Sequence, residues 1–298
     1  MTLNTTNGLP AILSGIRLWG EIITWACSAV SIKHIDLVGA LRGSGLDESV
    51  ARELAPRHAF ARASKKLSEA RIIRQVAEDE ANIRFQFTAE HRDADCFWYD
   101  LETMLTLEKT SGKVTCDLPD LAARAQEELD RCLANRTGSD VTRIIQKLFE
   151  RHADLFPIRE QGGAYFVVEK HTGFVDKIQA FLGRLNGRIG RFPVPTGTVE
   201  GDRSVKESVA SGLEALISDH QHAIRSFGDD TRASTLQRAA ERIRDTRFKI
   251  EAYAEYLADE KDRLESQLAD AARLLRTKVA QMSPVEESAP AAPSLMIA

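Results

Sequence analysis

The sequence predicts an α+β protein: an antiparallel β meander with helices, a winged-helix-like unit, and a long C-terminal helical hairpin of coiled-coil type. Three observations carry this. Residues 139 to 170 read as a short amphipathic helix followed by a β-hairpin, and residues 71 to 116 hold four β-prone stretches separated by turn residues. From Leu236, an apolar residue recurs every seventh position through Ile243, Ile250, Leu257 and Leu264 to Ala271, the period of a coiled coil. The expected domains are a helical plus antiparallel β region over 1–118, the winged-helix-like unit over 119–191, a linker over 192–202, the helical hairpin over 203–281 and a disordered tail over 282–298.

Residues 1 to 15 read as a polar leader. Gly20 to Ser28, GEIITWACS, has the β-branched and aromatic residues of a strand, although a helix suits it nearly as well. Ile32, Ile35, Val38 and Leu41 then keep one helical face, and Gly43-Ser44-Gly45 ends the run. A second helix is expected from Leu46, with Val50 and Leu54 inward, and a third from Ala59 to Leu67. Helix, glycine turn and helix has the outline of a helix-turn-helix, an outline that any small helical hairpin shares.

After Glu69 the period shifts towards alternation. Arg71 to Val76, Ile83 to Phe87, Phe97 to Leu107 and Lys113 to Cys116 are joined by short turn-rich segments, which implies antiparallel neighbours. Helix resumes at Asp117 with Pro119 in its first turn and Leu121, Ala125, Leu129 and Leu133 as its stripe. Ser139 and Asp140 stand where a cap belongs, before Val141, Ile144, Ile145 and Leu148. LFPIR and AYFVV flank Gln161-Gly162-Gly163, a hairpin signal. A helix from Phe174 to Leu185 follows, and FPVPTGTVEG reads as the linker.

Beyond it, Val205 to Ile224 mark one helix. A second runs uninterrupted from Thr231 for roughly 45–50 residues, which at 1.5 Å per residue is about 70 Å. The other core column of that helix reads Ala240, Arg247, Ala254, Lys261, Leu268 and Leu275. Such a mixed column suits an antiparallel hairpin with the preceding helix better than a two-stranded dimer seam. The distal part is expected to meet a protein partner or a second copy through Leu257, Leu264, Leu268 and Leu275.

Composition sets limits on function. A net charge of −4 argues against whole-surface attraction to nucleic acid or anionic membrane. The four cysteines lie far apart and read as reduced thiols. The longest uncharged run near the start, between Glu21 and Lys33, is about half of a bilayer span, so a cytoplasmic protein without membrane contact is expected. No phosphate-loop, dinucleotide, nucleophile-elbow or zinc-protease signature occurs, and neither a cofactor, a metal nor a catalytic residue is expected. His91-Arg92-Asp93 lacks the rest of a kinase set, Asp93 and Asp95 read as turn acids facing solvent, and His220 and His222 diverge on their helix.

One constellation is basic. With its apolar residues inward, the 139 to 152 helix presents Thr142, Arg143, Gln146, Lys147 and Arg151, and Lys177, Arg184, Arg188 and Arg191 follow. Residues 139 to 191 hold nine Lys or Arg against six Asp or Glu, a local +3 that leaves −7 for the rest of the chain. Such side chains reach base edges and phosphates of DNA or RNA. An ordinary solvated helix carries a similar face, and Glu150 interrupts this one.

The helix, FPIREQGGAYFV, the short helix after it and TLQRAAERIRDTRFKIEAYAEYL together resemble a family of uncharacterised bacterial and phage proteins over about residues 120 to 277. Gly162, Gly163, Tyr165 and Phe166 and the Arg-rich start of the last helix carry the likeness. It implies a non-enzymatic setting, associated with phage or mobile elements, and assigns no residue a role. The expected function is a nucleic-acid-associated protein with a winged-helix-like contact surface and a coiled-coil arm. The alternative is a scaffolding protein that assembles or recruits a partner through its long helices.

Overall fold

The computed structural model describes residues 17 to 282 except 70, 94, 95, 160, 161 and 229. The expected leader and tail, together with Asp95 and Gln161, lie outside the described residues. In chain order the elements begin with β1 (Leu18–Ala26), β2 (Ser31–Lys33), α1 (His34–Gly43), α2 (Pro56–Lys66), β3 (Arg71–Glu78), β4 (Asn82–Arg92), β5 (Phe97–Glu108) and β6 (Val114–Thr115). Then come α3 (Pro119–Ala134), β7 (Asn135–Thr137), α4 (Gly138–His152), β8 (Phe156–Pro157), β9 (Tyr165–Val168), α5 (Thr172–Arg184) and β10 (Arg188–Pro195). The chain closes with α6 (Val199–Arg225), α7 (Ala233–Ala252), α8 (Ala254–Leu257) and α9 (Glu260–Met282). The protein is thus α+β with antiparallel sheets. None of the described helices is long and apolar enough to cross a membrane.

The chain divides into two compact units, one of residues 1–24, 154–170 and 191–298, the other of 25–153 and 171–190. In the first, a sheet of order β10-β1-β9-β8 packs on helices. Phe156, Phe166, Val168 and Val194 join Val205, Val209 and Leu213 of α6 and the apolar residues of α7 and α9 in one core. Gly20 pairs with Val168 in this sheet at φ 153°, and a Cβ there would lie 2.1 Å from the Val167 carbonyl oxygen, so glycine alone fits. FPVPTGTVEG proves not to be a linker, because its first half completes β10 in this sheet. Pro193 and Pro195 fit there because β10 is an edge strand, where a missing N–H leaves no ladder bond unmade.

The long C-terminal helix is the larger correction. It breaks after Leu257, where Ala258 adopts φ 47°, and α9 turns back so that α6, α7 and α9 all pack on one another. The ladder of sevens is the interior of this three-helix arrangement. Ile250, Leu257, Leu264 and Ala271 are at most 1% exposed, and Leu268 and Leu275 share the same core. Leu257, Leu264, Leu268 and Leu275 are therefore unavailable to a partner. In α7 the second inward column is Thr246 and Tyr253, three residues after Ile243 and Ile250, while Arg247, on the column expected four residues on, is exposed. In α9 the spacing reverts to four, from Leu264 to Leu268 and Ala271 to Leu275. The break absorbs that change of register.

The second unit contains the four-stranded meander β3-β4-β5-β6. Ile83, Phe85 and Phe87 of β4 and Leu105 and Leu107 of β5 turn to α2 and α3, where Phe60, Ala63, Leu121, Ala125 and Leu129 complete the core. Pro56 opens α2, at a position where its missing N–H costs no helical bond. The helix expected from Leu46 is a single 3-10 turn, Glu48–Val50. In α1 the inward residues are Leu37 and Leu41, whereas Ile35 is 72% exposed and Ile32 belongs to β2, which pairs with β7.

Leu264 is fully buried and Phe248 is 66% exposed on the same helical arrangement. Leu264→Ala should therefore cost about 2–5 kcal/mol in chemical denaturation, independently of protein concentration. Phe248→Ala should shift stability by no more than about 0.5 kcal/mol. Equal effects would contradict an internal ladder.

Candidate nucleic-acid interface

The placement of α4 begins with its first residue. A Cβ on Gly138 would stand 1.9 Å from the carbonyl oxygen of Cys27, so only glycine lets the helix start against that segment. The cap is a reciprocal one between Thr137 and Asp140, whose carboxylate accepts from the Thr137 N–H at 3.0 Å and from its hydroxyl at 3.1 Å. The same carboxylate takes both Nη atoms of Arg62, at 2.6 and 2.9 Å. Burial alone would raise the Asp140 pKa, but the Arg62 fork and the Thr137 amide outweigh it and hold the carboxyl below its ordinary range. Nearby, the buried Arg136 guanidinium donates to the carbonyls of Cys132, Leu133 and Asn135. Burial lowers its pKa.

This scaffold turns Val141, Ile144, Ile145, Leu148 and Phe149 inward. Arg143, Lys147 and Glu150 face solvent, and Thr142 and Gln146 are half-buried. Beside the first turns of α4 lies an open cavity of about 510 Å³, walled by Trp25, Ala26, Cys27 and Ser28 on one side and by Gly138, Ser139, Thr142, Arg143 and Gln146 on the other. It offers a guanidinium, three hydroxyls, a carboxamide and an indole. Such a set suits a phosphate and sugar backbone with a base or other flat group beside it. Thr142 Oγ1 already lies 3.5 Å from Cys27 Sγ.

The sequence matches a protein family of unknown function, DUF6744, over residues 18–287. The chain belongs to this family. No curated protein and no solved structure matches it. The family match spans every described element.

The nine residues expected to meet nucleic acid separate into two groups. Arg151 is engaged with Asp47 and with Ser49 Oγ at 2.9 Å, and Arg184 donates to the Gly43 carbonyl at 3.0 Å. Arg191 belongs to the other unit, where its guanidinium holds the buried carboxylate of Glu21 through two bonds of 2.5 and 2.8 Å. These three cations tie loops and strands in place. Arg143, Lys147, Lys177 and Arg188 are exposed and form no ion pair with a described residue, which leaves four cations for a ligand. The expected winged-helix arrangement separates in the same way. Strands β8 and β9 do form an antiparallel hairpin, but it lies in the unit that lacks α4, and β9 pairs on its other side with β1.

Trp25 and Ser28 were outside the expected set. They come from a stretch more than a hundred residues before α4, and their only signal in the sequence is that GEIITWACS ends in small and aromatic residues. A larger cavity of about 720 Å³ in the other unit, along α6 and the start of α9, is lined by Asp202, Glu207, Glu214, Asp259 and Glu260 against Arg203, Lys206 and Arg263. Its excess of carboxylates disfavours a phosphate ligand.

The Asp140 carboxylate gives a pH prediction. A group whose folded pKa is depressed contributes stability above its unfolded pKa, near 3.8 here, and loses it as pH falls through the lower folded value. Asp140→Asn should therefore destabilise the protein at pH 7 by about 1–3 kcal/mol. Denaturation curves of variant and parent should converge as pH drops below about 4. A difference that persisted undiminished at low pH would count against the charged Arg62–Asp140 pair.

Proposed function

We propose that the protein is a nucleic-acid-associated binding module whose contact surface is the exposed face of α4 and the cavity beside it. Arg143 and Lys147 contact phosphates, Thr142, Gln146 and Ser139 hydrogen-bond sugar or base edges, and Lys177 and Arg188 add charge from α5 and the start of β10. The observation that carries the reading is the contrast between cations. Those with structural work have partners, while Arg143 and Lys147 stand one helical turn apart, exposed and without an ion-pair partner among the described residues. The likeness to bacterial and phage proteins suits such a module. Contact through a wing is not part of the proposal, because the hairpin belongs to the other unit.

The net charge of −4 means that binding rests on this patch alone and is modest in strength. Four phosphate contacts on duplex DNA give a slope of about −3.6 for log affinity against log salt concentration, and each lost contact reduces it by about 1. Gel-shift or anisotropy titrations at several salt concentrations should show such a slope for the parent, a slope shallower by about 2 for Arg143→Ala with Lys147→Ala, and an unchanged slope for Arg184→Ala. Absence of binding to double- and single-stranded DNA and to RNA at low salt would overturn the proposal. So would a double variant that binds as the parent does.

A further inference from the structure

The meander of the second unit has one packed face and one open face. Ile83, Phe85 and Phe87 of β4, with Leu105 and Leu107 of β5, form the face that meets α2 and α3. The residues that alternate with them point the other way, and the strand registers set them in rows across the sheet. Thr88 lies between Ile72 of β3 and Leu101 of β5, and Gln86 lies between Arg74 and Met104. One row nearer the hairpin end, Glu90 lies opposite Tyr99. Unbroken alternation along β5 would put Met104 on one face and Leu101 and Tyr99 on the other. The register shift there, with Phe87 opposite Thr103 and Thr88 opposite Leu101, inserts one extra residue and brings all three to the open face.

The result is a strip of apolar side chains on that face. Tyr99 is 53% exposed, Leu101 62% and Met104 38%, and the half-buried Ile72 stands beside them two strands away. Exposed large apolar side chains in one continuous patch mark an interaction surface. Charge selects the occupant. Arg74 and Glu90 stand on the same face, one row to either side of the row Ile72–Thr88–Leu101, and neither side chain forms an ion pair with a described residue. Further along, Arg84 is paired with Asp79 at 3.1 Å, and at the hairpin end the Arg92 guanidinium lies 5.0 Å over the Phe97 ring.

The patch thus offers one cation and one anion about an apolar middle row. That balance gives neither a polyanion nor a basic segment a net attraction. It is, however, complementary to itself. A second copy, turned about a two-fold axis along the row Ile72–Thr88–Leu101, sets the Glu90 row of each copy over the Arg74 row of the other. The same rotation places Tyr99 over Met104 and Leu101 over its own counterpart, the reciprocal pattern that a two-fold interface requires. Strands stacked this way stay aligned, as in ordinary sheet-on-sheet packing with about 10 Å between sheets.

We propose that the open face of β3, β4 and β5 binds a second copy of this chain, with Tyr99, Leu101 and Met104 at the centre and Arg74 of each copy pairing with Glu90 of the other. The surface is separate from the α4 face and does not depend on it. Three strands by three rows make a small interface, so the dimer is weak and calls for sedimentation velocity on the full chain up to about 0.5 mM. The parent should show a monomer–dimer equilibrium. Leu101→Asp should weaken it about tenfold or more, and Arg74→Glu or Glu90→Arg alone should each do so about tenfold, because like charges then face each other. An equimolar mixture of those two charge variants should associate about as tightly as the parent, since every contact between unlike copies again joins opposite charges. Misfolding or general stickiness would not produce that recovery. A parent that stays monomeric throughout, a dimer that Leu101→Asp or the single charge variants leave unchanged, or a mixture no tighter than its components would each overturn the proposal. So would binding of oligo(dT) by this face in place of a second copy, lost in Leu101→Asp.

Discussion

The constraint on which the first unit depends is that the heptad ladder of the C-terminal third must be covered, and the chain covers it with its own helices. A single helix of some fifty residues would leave one stripe of Ile243, Ile250, Leu257, Leu264 and Ala271 to be met by another molecule. Breaking it at Ala258 converts one long stripe into two short ones that face each other and α6. Each buried leucine or isoleucine is worth about 1.5–3 kcal/mol relative to exposure, so the ladder together far outweighs the roughly 1–3 kcal/mol of strain at a non-glycine residue with φ 47°. The sheet of β1, β9 and β10 then closes the same core through Phe166, Val168 and Val194.

Much of the fold was legible in the residues. Alternation along Ile83, Phe85 and Phe87 identified a half-buried strand, and the stripe of α4 from Val141 to Leu148 was assigned to the correct face. The failures have particular causes. In α1, Ile35 fits a helical period as well as Leu37 does, and only the tertiary neighbours decide which side is covered. The β10 strand hid behind Pro193 and Pro195, which an edge position tolerates. The break after Leu257 is marked by no glycine or proline. The only clue was the mixed column of Arg247 and Lys261, which reported that the register had changed.

The candidate site was legible in part. Residue type and spacing found Arg143 and Lys147, because an amphipathic helix fixes its own outer face. They could not separate a free arginine from an anchoring one. Arg191 looks like its neighbours in sequence, yet its partner Glu21 lies 170 positions away, and Arg151 meets Asp47 across a comparable gap. Long-range partners decided which of these cations stay exposed.

The account rests most heavily on the ladder being internal, and a distance measurement tests that directly. Nitroxide labels carried by non-canonical residues at the exposed positions 241 in α7 and 273 in α9 would report it by electron–electron double resonance on the full chain. Packed helices 8–10 Å apart predict a label separation below about 30 Å. An uninterrupted helix predicts about 48 Å, at 1.5 Å per residue, and a distribution centred there would contradict the account.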